Sequence, residues 1–175
     1  MRVFGLVGWS GSGKTTLMTR LIPELIACGL RLSTMKHSHH GFDVDTPGKD
    51  SYRHREAGAT EVMVASARRW ALMHELRGDP EPDVEALIAQ MTPVDLLLIE
   101  GFRRHAHPKL EIHRPSLGKA LMASTDPNIV AIASDSQVME TVLPVLDIDD
   151  AAAIAAFVVT YCGLRREEAH GPTKQ

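Results

Sequence analysis

Cysteine is scarce in this chain: Cys28 and Cys162 are the only two, and they form no CxxC pair. That excludes a disulfide framework and makes a reduced, cytoplasmic setting the expectation. A strong charge of one sign is also missing. The net charge is -3 over 175 residues, which removes the case for a general nucleic-acid binder. Long apolar runs are missing too. The run "VDLLLI" at 94–99 falls far short of the roughly 20 residues a membrane span needs. No leader segment is expected, because Lys14 and Thr15 interrupt the one candidate run. Repeats and low-complexity segments are absent as well.

Hydrophobic residues make up 44% of the chain, enough to build a real core, and the length fits one compact domain. The expected organisation is a nucleotide-binding domain over 1–163 and a polar, disordered tail over 164–175. Residues 2–7, "RVFGLV", read as a short buried strand ending at glycine. Leu17, Leu21 and Leu25 then recur at helical spacing over 14–28, with Gly29 as a stop and Pro23 expected to kink or shorten the helix. Strands are expected at 30–35, 60–66, 69–75, 96–99, 109–114 and 128–134. The run at 96–99 has the continuous apolar character of a central strand covered on both faces. Helices are expected at 50–57, with Asp50 as N-cap, at 83–91, and at 149–162 behind acids. Strands alternating with helices argue for a mostly parallel α/β sheet.

The stretch "GLVGWSGSGKTTL" carries the chemistry. Gly8, Gly13, Lys14 and Thr15 match G-x-x-x-x-G-K-[ST], with a strand before and a helix after. Glycines let successive backbone N–H groups turn inward and form a nest for phosphate oxygens. The following helix N-terminus adds partial positive charge. Lys14 reaches the β- and γ-phosphates, and the Thr15 hydroxyl takes a magnesium site. The fold class this implies is a three-layer P-loop NTPase α/β fold, a mostly parallel sheet flanked by helices. Magnesium on a triphosphate also wants a carboxylate from a neighbouring strand. Glu100, which ends "DLLLIE", is the candidate, at the strand end that faces the ligand crevice in open α/β sheets. Asp95 starts the same run and should point away.

A guanine base offers N1–H and N2–H as a pair of donors to a carboxylate. Asp135, at the end of a late strand, suits that role and equally suits an N-cap for a following helix. "MKHSHHGFDVDTPGKDS" is the most unusual composition, with His37, His39, His40, Asp43 and Asp45 together. It reads as a transition-metal site, as a switch loop sensing the γ-phosphate through Lys36, Asp43 or Asp45, as a docking surface for an anionic substrate beside Lys49, Arg53 and Arg55, or as a solvated polar loop. With "GFRRHAHPK" at 101–109 it would form a positive rim by the nucleotide.

Taken in order, "GWSGSGKTTL", "KHSHHGFDVDTPGKDSYRHREAGA", "ASARRWALM", "LLLIEGF" and "VAIASD" resemble the MobB family of molybdopterin-guanine dinucleotide biosynthesis adapters. The resemblance runs to about Phe157, and the histidine and aspartate segment is its most specific part. It implies a P-loop GTP-binding fold, a homodimer, magnesium as the ion, and a role beside the guanylyltransferase that joins GMP to molybdopterin. Molybdopterin or its guanine dinucleotide becomes a further candidate ligand. Carried over by motif, the phosphate loop is Gly11, Ser12, Gly13, Lys14, Thr15 and Thr16, Glu100 takes the metal-side acid role, and the loop with Asp45 lies by the site. No glutamine is evident to orient an attacking water, and Arg68, Arg69 or an arginine from a second subunit would have to meet the γ-phosphate. Slow GTP hydrolysis by an adapter is therefore the expectation. The competing readings are a small-molecule kinase with Asp43 or Asp45 as base, a metallochaperone GTPase using the histidines, and a scaffold with an inactive loop.

Overall fold

In the computed structural model, residues 1–38, 41–139 and 141–164 are described. The expectations for His39, His40 and nearly all of the 164–175 tail lie outside them. The sequence reads as one domain, and the structure forms two compact units: Met1–His37 with Thr92–Gln175, and Ser38–Met91.

The first unit is built on six parallel strands: β1 (Arg2–Val7), β2 (Leu32–Lys36), β5 (Leu96–Glu100), β6 (Lys109–His113), β7 (Ile129–Ser134) and β8 (Val145–Asp147). Their order is β2-β5-β1-β6-β7-β8. This is the expected sheet flanked by helices. Helices α1 (Lys14–Ala27) and α4 (Ala151–Tyr161) bury Leu17, Leu21, Leu25, Ile154 and Val158 against Phe4, Leu6, Leu98, Leu110 and Ile112. Asp150 caps α4 by accepting from the Ala153 N–H at 2.8 Å.

Pro23 does not shorten α1, which runs on to Ala27 and stops where Gly29 adopts a positive φ of 79°. Two magnitudes explain it. An interior proline costs about 3 kcal/mol, while three leucines buried this fully contribute about 2 kcal/mol each. The ring also sits on the exposed side, where the carbonyl left without a partner meets water.

Strand β6, "KLEIH", alternates polar and apolar residues, yet every one of its residues is buried. Two of its polar members, Lys109 and Glu111, are satisfied inside the protein. Lys109 Nζ pairs with Asp126 at 2.7 Å and donates to the Arg103 carbonyl at 3.0 Å. Glu111 accepts the N–H groups of Met122 and Ala123, both at 2.8 Å, at the start of the 3-10 turn Met122–Ser124. That turn covers the sheet face opposite α1 and α4, together with Val7, Ile129 and Trp9.

The second unit holds α2 (Asp50–Glu56), the antiparallel hairpin of β3 (Glu61–Ala65) and β4 (Trp70–His74), and α3 (Val84–Ala89). Asp50 is the first helical residue of α2 and Lys49 is the cap, so the expected Asp50 cap is corrected by one position. The carboxylate still lies in the first turn, where the helix dipole favours it. Asp83 caps α3 through the Ala86 N–H at 2.7 Å.

Candidate functional site

The loop 8–13 leaves β1 and opens α1. Gly11 and Gly13 hold positive φ values of 80° and 97°, where a side chain would be strained. Gly8 is required for a different reason. A Cβ there would lie 2.5 Å from the Ile112 carbonyl oxygen and 2.6 Å from Ser12 Oγ. Helix α1 begins without a side-chain cap and without an acid in its first turn. Its N-terminal amides and positive end are therefore not neutralised by the helix itself. Ser12 Oγ is buried with no hydrogen-bond partner. An orphaned hydroxyl beside open amides is the donor set an anion with several oxygens would satisfy.

Parallel pairing of β1 with β5 sets Leu6 opposite Glu100, which brings the acid to the same sheet end as the loop. Thr15 Oγ1 donates to Glu100 Oε1 at 3.0 Å. Lys36 Nζ, from the end of β2, approaches the same Oε1 at 3.6 Å. A hydroxyl and a carboxylate oxygen in contact, with an ammonium held at the same atom, form a hard-oxygen set that fits magnesium. Asp95, at the other end of β5, accepts from the Arg31 N–H, as its position in the strand requires.

Lys14 Nζ donates to the carbonyls of Gly8 and Trp9 at 2.9 and 3.0 Å, closing the loop on itself. Its pKa is held below the usual lysine value, first by burial and further by the cations Arg103 and Lys36, against the opposing pull of Glu100. Arg103 stacks its guanidinium 4.8 Å from the Trp9 ring centroid, so the loop after Glu100 lies on the phosphate-loop pattern.

Residues 3–135 match the family described as Molybdopterin guanine dinucleotide synthesis protein B, MobB. The chain belongs to the MobB family. It is 42% identical over 162 residues to the molybdopterin-guanine dinucleotide biosynthesis adapter protein of Escherichia coli (strain K12), covering 91% of this chain and 92% of that one. It is 42% identical over 156 residues to the protein of the same name from Haemophilus influenzae, covering 89% and 86%. The solved structure of Bacillus subtilis MobB superposes with a TM-score of 0.71 at 29% identity, covering 93% of this chain and 98% of that one. A MobB homolog from Bacillus stearothermophilus gives 0.69 at 24% identity, covering 94% and 100%, and at that identity it speaks for the fold alone. The MobB fold is the P-loop NTPase fold anticipated above.

Other expected residues of this MobB-family chain have partners within their own unit. Asp45 belongs to the second unit, where it accepts from Ser51 Oγ at 2.8 Å and pairs with Arg55 Nε at 3.3 Å. Arg55 also holds Asp43 and Glu75, each at 2.8 Å. Hydrogen bonding from Arg55 keeps the Asp43 carboxyl below its usual range, which makes it a weaker proton acceptor and weakens the kinase reading. Arg55 itself is committed to carboxylates and is no free cation for docking an anionic substrate. Arg68 and Arg69 sit in the hairpin turn, where their backbone N–H groups donate to Ser66 Oγ. Among the described residues no group of three His, Cys, Asp or Glu could hold a metal ion. None of the described helices is long and apolar enough to cross a membrane.

Asp135 does not cap a helix: 135–139 is irregular and no helix follows before α4 among the described residues. The Asp135 carboxylate instead pairs with Arg114 Nη1 and accepts from Ser136 Oγ at 3.0 Å. Arg114 is the site residue that sequence reasoning missed. Its Nε donates to the Ser12 carbonyl at 3.0 Å. The available signal was its place, directly after a parallel strand and before Pro115, which restricts Arg114 to an extended backbone.

Proposed function

We propose that this chain is an adapter in molybdopterin guanine dinucleotide biosynthesis that works by holding GTP and Mg2+ on its glycine loop. The observation that carries the reading is the contact of Thr15 with Glu100 beneath an uncapped helix N-terminus. The relatives at 42% identity, both molybdopterin-guanine dinucleotide biosynthesis adapter proteins, support the pathway. In this reading the amides of Gly11, Gly13, Lys14, Thr15 and Thr16 bind phosphate oxygens, the Ser12 N–H stays on the Trp9 carbonyl at 3.1 Å, and the Ser12 hydroxyl gains the partner it lacks. Lys14 turns its ammonium from the Gly8 and Trp9 carbonyls to the phosphates. Thr15 and Glu100 hold the magnesium ion, which when bound neutralises charge between the outer phosphates. Asp135 reads the paired N–H donors of guanine.

Lys14 and Glu100 bind and orient, so turnover is slow and the protein acts chiefly by presenting nucleotide. The partner is the guanylyltransferase that joins GMP to molybdopterin, with molybdopterin or its guanine dinucleotide as a further ligand. A homodimer fits the hairpin. Met63, Trp70 and Leu72 stand 61%, 65% and 44% exposed on one face of a two-stranded ribbon, and such a ribbon is marginal alone. Isothermal titration with GTP, ATP and GDP, with and without magnesium, tests the reading. A magnesium-dependent preference for GTP is expected. Equal binding of ATP, or multiple turnover well above ~1 s⁻¹ without a partner, contradicts it.

A further inference from the structure

Strand β6 ends at His113 and strand β7 at Ser134, and these two residues are register partners. The next residue on each strand is therefore thrown past the same sheet edge side by side. Those residues are Arg114 and Asp135, and their side chains form an ion pair. The guanidinium does more than neutralise the acid. Its Nε donates to the Ser12 carbonyl at 3.0 Å. Its Nη2 lies 3.6 Å from the position a Cβ would take on Gly13. The 3-10 turn Pro115–Leu117 continues alongside, with Leu117 Cδ2 4.0 Å from the corresponding position on Gly11. One planar cation thus spans the phosphate loop and the acid at the end of β7. Arginine alone among the cationic side chains offers donors in a rigid fork that can serve two acceptors at once.

We propose that Arg114 is a positioning residue that sets base selectivity, by locking the Asp135 carboxylate in one orientation at a fixed distance from the phosphate cradle. The inference rests on the GTP-binding reading above. A carboxylate can accept two parallel N–H donors from a base edge only if both oxygens are presented together. Ser136 holds Oδ1 and Arg114 holds Oδ2, so the rotamer is chosen before ligand arrives. The link to Ser12 ties that choice to the loop that takes the phosphates. Without Arg114 the carboxylate is held at Oδ1 alone, by Ser136, so Oδ2 is no longer fixed against the loop and guanine loses its advantage over adenine, whose edge lacks that pair of donors.

The test is titration of GTP, ATP and inorganic pyrophosphate into the full chain and into Arg114→Gln, Arg114→Lys and Asp135→Asn, each checked for folding by thermal melting. The preference for GTP over ATP is expected to fall about tenfold in Arg114→Gln, the scale of coupling between residues sharing one hydrogen-bond network. Arg114→Lys is expected to lose selectivity similarly, because an ammonium keeps the charge without bridging both acceptors. Asp135→Asn is expected to abolish the preference and to favour xanthosine triphosphate, whose C2 carbonyl accepts from the amide. Equal weakening of GTP, ATP and pyrophosphate in Arg114→Gln, with selectivity kept, overturns the proposal and makes Arg114 a phosphate ligand. If Asp135→Asn removes selectivity and neither Arg114 variant does, the Arg114 inference fails alone. If Asp135→Asn leaves the preference untouched, the base-reading role fails with it.

Discussion

The Thr15 hydroxyl and the Glu100 carboxylate, 85 positions apart in the chain, meet at 3.0 Å. Neither residue has the freedom to be elsewhere. Thr15 is fixed in the first turn of α1 by the loop before it, and Glu100 is fixed by the pairing of β5 with β1. The Lys36 ammonium at the same Oε1 is where a cation belongs.

Glu100→Gln keeps the shape and removes the charge. The gain in nucleotide affinity on adding magnesium is expected to fall by about tenfold or more, since hydrogen bonds and ion contacts to charged groups are worth about 1.5–3 kcal/mol. Affinity measured in excess chelator should change little. A variant that keeps the full magnesium effect in calorimetry would remove Glu100 from the metal site.

Lys14 makes the site pH-sensitive in a definite direction. Burial and neighbouring cations lower its pKa from 10.5 in the ligand-free protein, while a bound polyanion favours the charged form and raises it. Affinity is therefore full below the lowered ligand-free pKa and weakens as pH climbs through it. The fold responds with the opposite sign: a lysine with a depressed folded pKa destabilises while charged, so that cost disappears as pH rises toward 10.5. Titrations across alkaline pH should show proton uptake on binding, and Lys14→Arg should flatten the profile because a guanidinium stays charged. A wild-type profile as flat as that of the variant would count against Lys14 as the phosphate-facing charge.

Much of this site was legible in the sequence because its parts follow from local rules. The glycine loop is defined by spacing, and Glu100 by its place at the end of an apolar run in a parallel sheet. What stayed hidden depends on register between distant strands. Arg114 and Asp135 become neighbours only because His113 pairs with Ser134. The three-residue strand β8 is too short to leave a periodic signal. "KLEIH" reads like any alternating strand, and only the partners Asp126, Met122 and Ala123 reveal why its polar residues are buried. The Arg55 cluster was hidden for the same reason: Glu75 lies 20 positions away, across the hairpin.

The hairpin gives a prediction about assembly. Met63 and Leu72 are register partners, as are Ala65 and Trp70, so their side chains share one face. Leu72→Asp or Trp70→Asp places a charge in any interface built on that face. Sedimentation should show a dimer for the wild type and a monomer for either variant, with unfolding of the parallel-sheet unit little changed. A variant that stays dimeric would move the interface elsewhere.

Lys109 is fully buried in the central sheet, and its ammonium depends on Asp126. Asp126→Asn removes the counter-charge and leaves the ammonium to neutral acceptors, the Arg103 carbonyl at 3.0 Å among them. Breaking a buried pair from one side costs about 3–5 kcal/mol, and the surviving carbonyl contact argues for about 3. Lys109→Met removes the charge along with the pair and is expected to cost less. The pH dependence has a set sign. Burial works to raise the Asp126 carboxyl, but hydrogen bonds from Lys109 and Asn128 outweigh it, so it titrates below its ordinary 3.8. Its contribution is therefore complete above 3.8 and is lost as pH falls through the lower folded value. Urea unfolding at neutral pH should show the full gap between wild type and Asp126→Asn, and the gap should close only in strong acid. If Asp126→Asn proves no worse than Lys109→Met, the ammonium is finding another acceptor, and the burial of "KLEIH" must be explained without this pair.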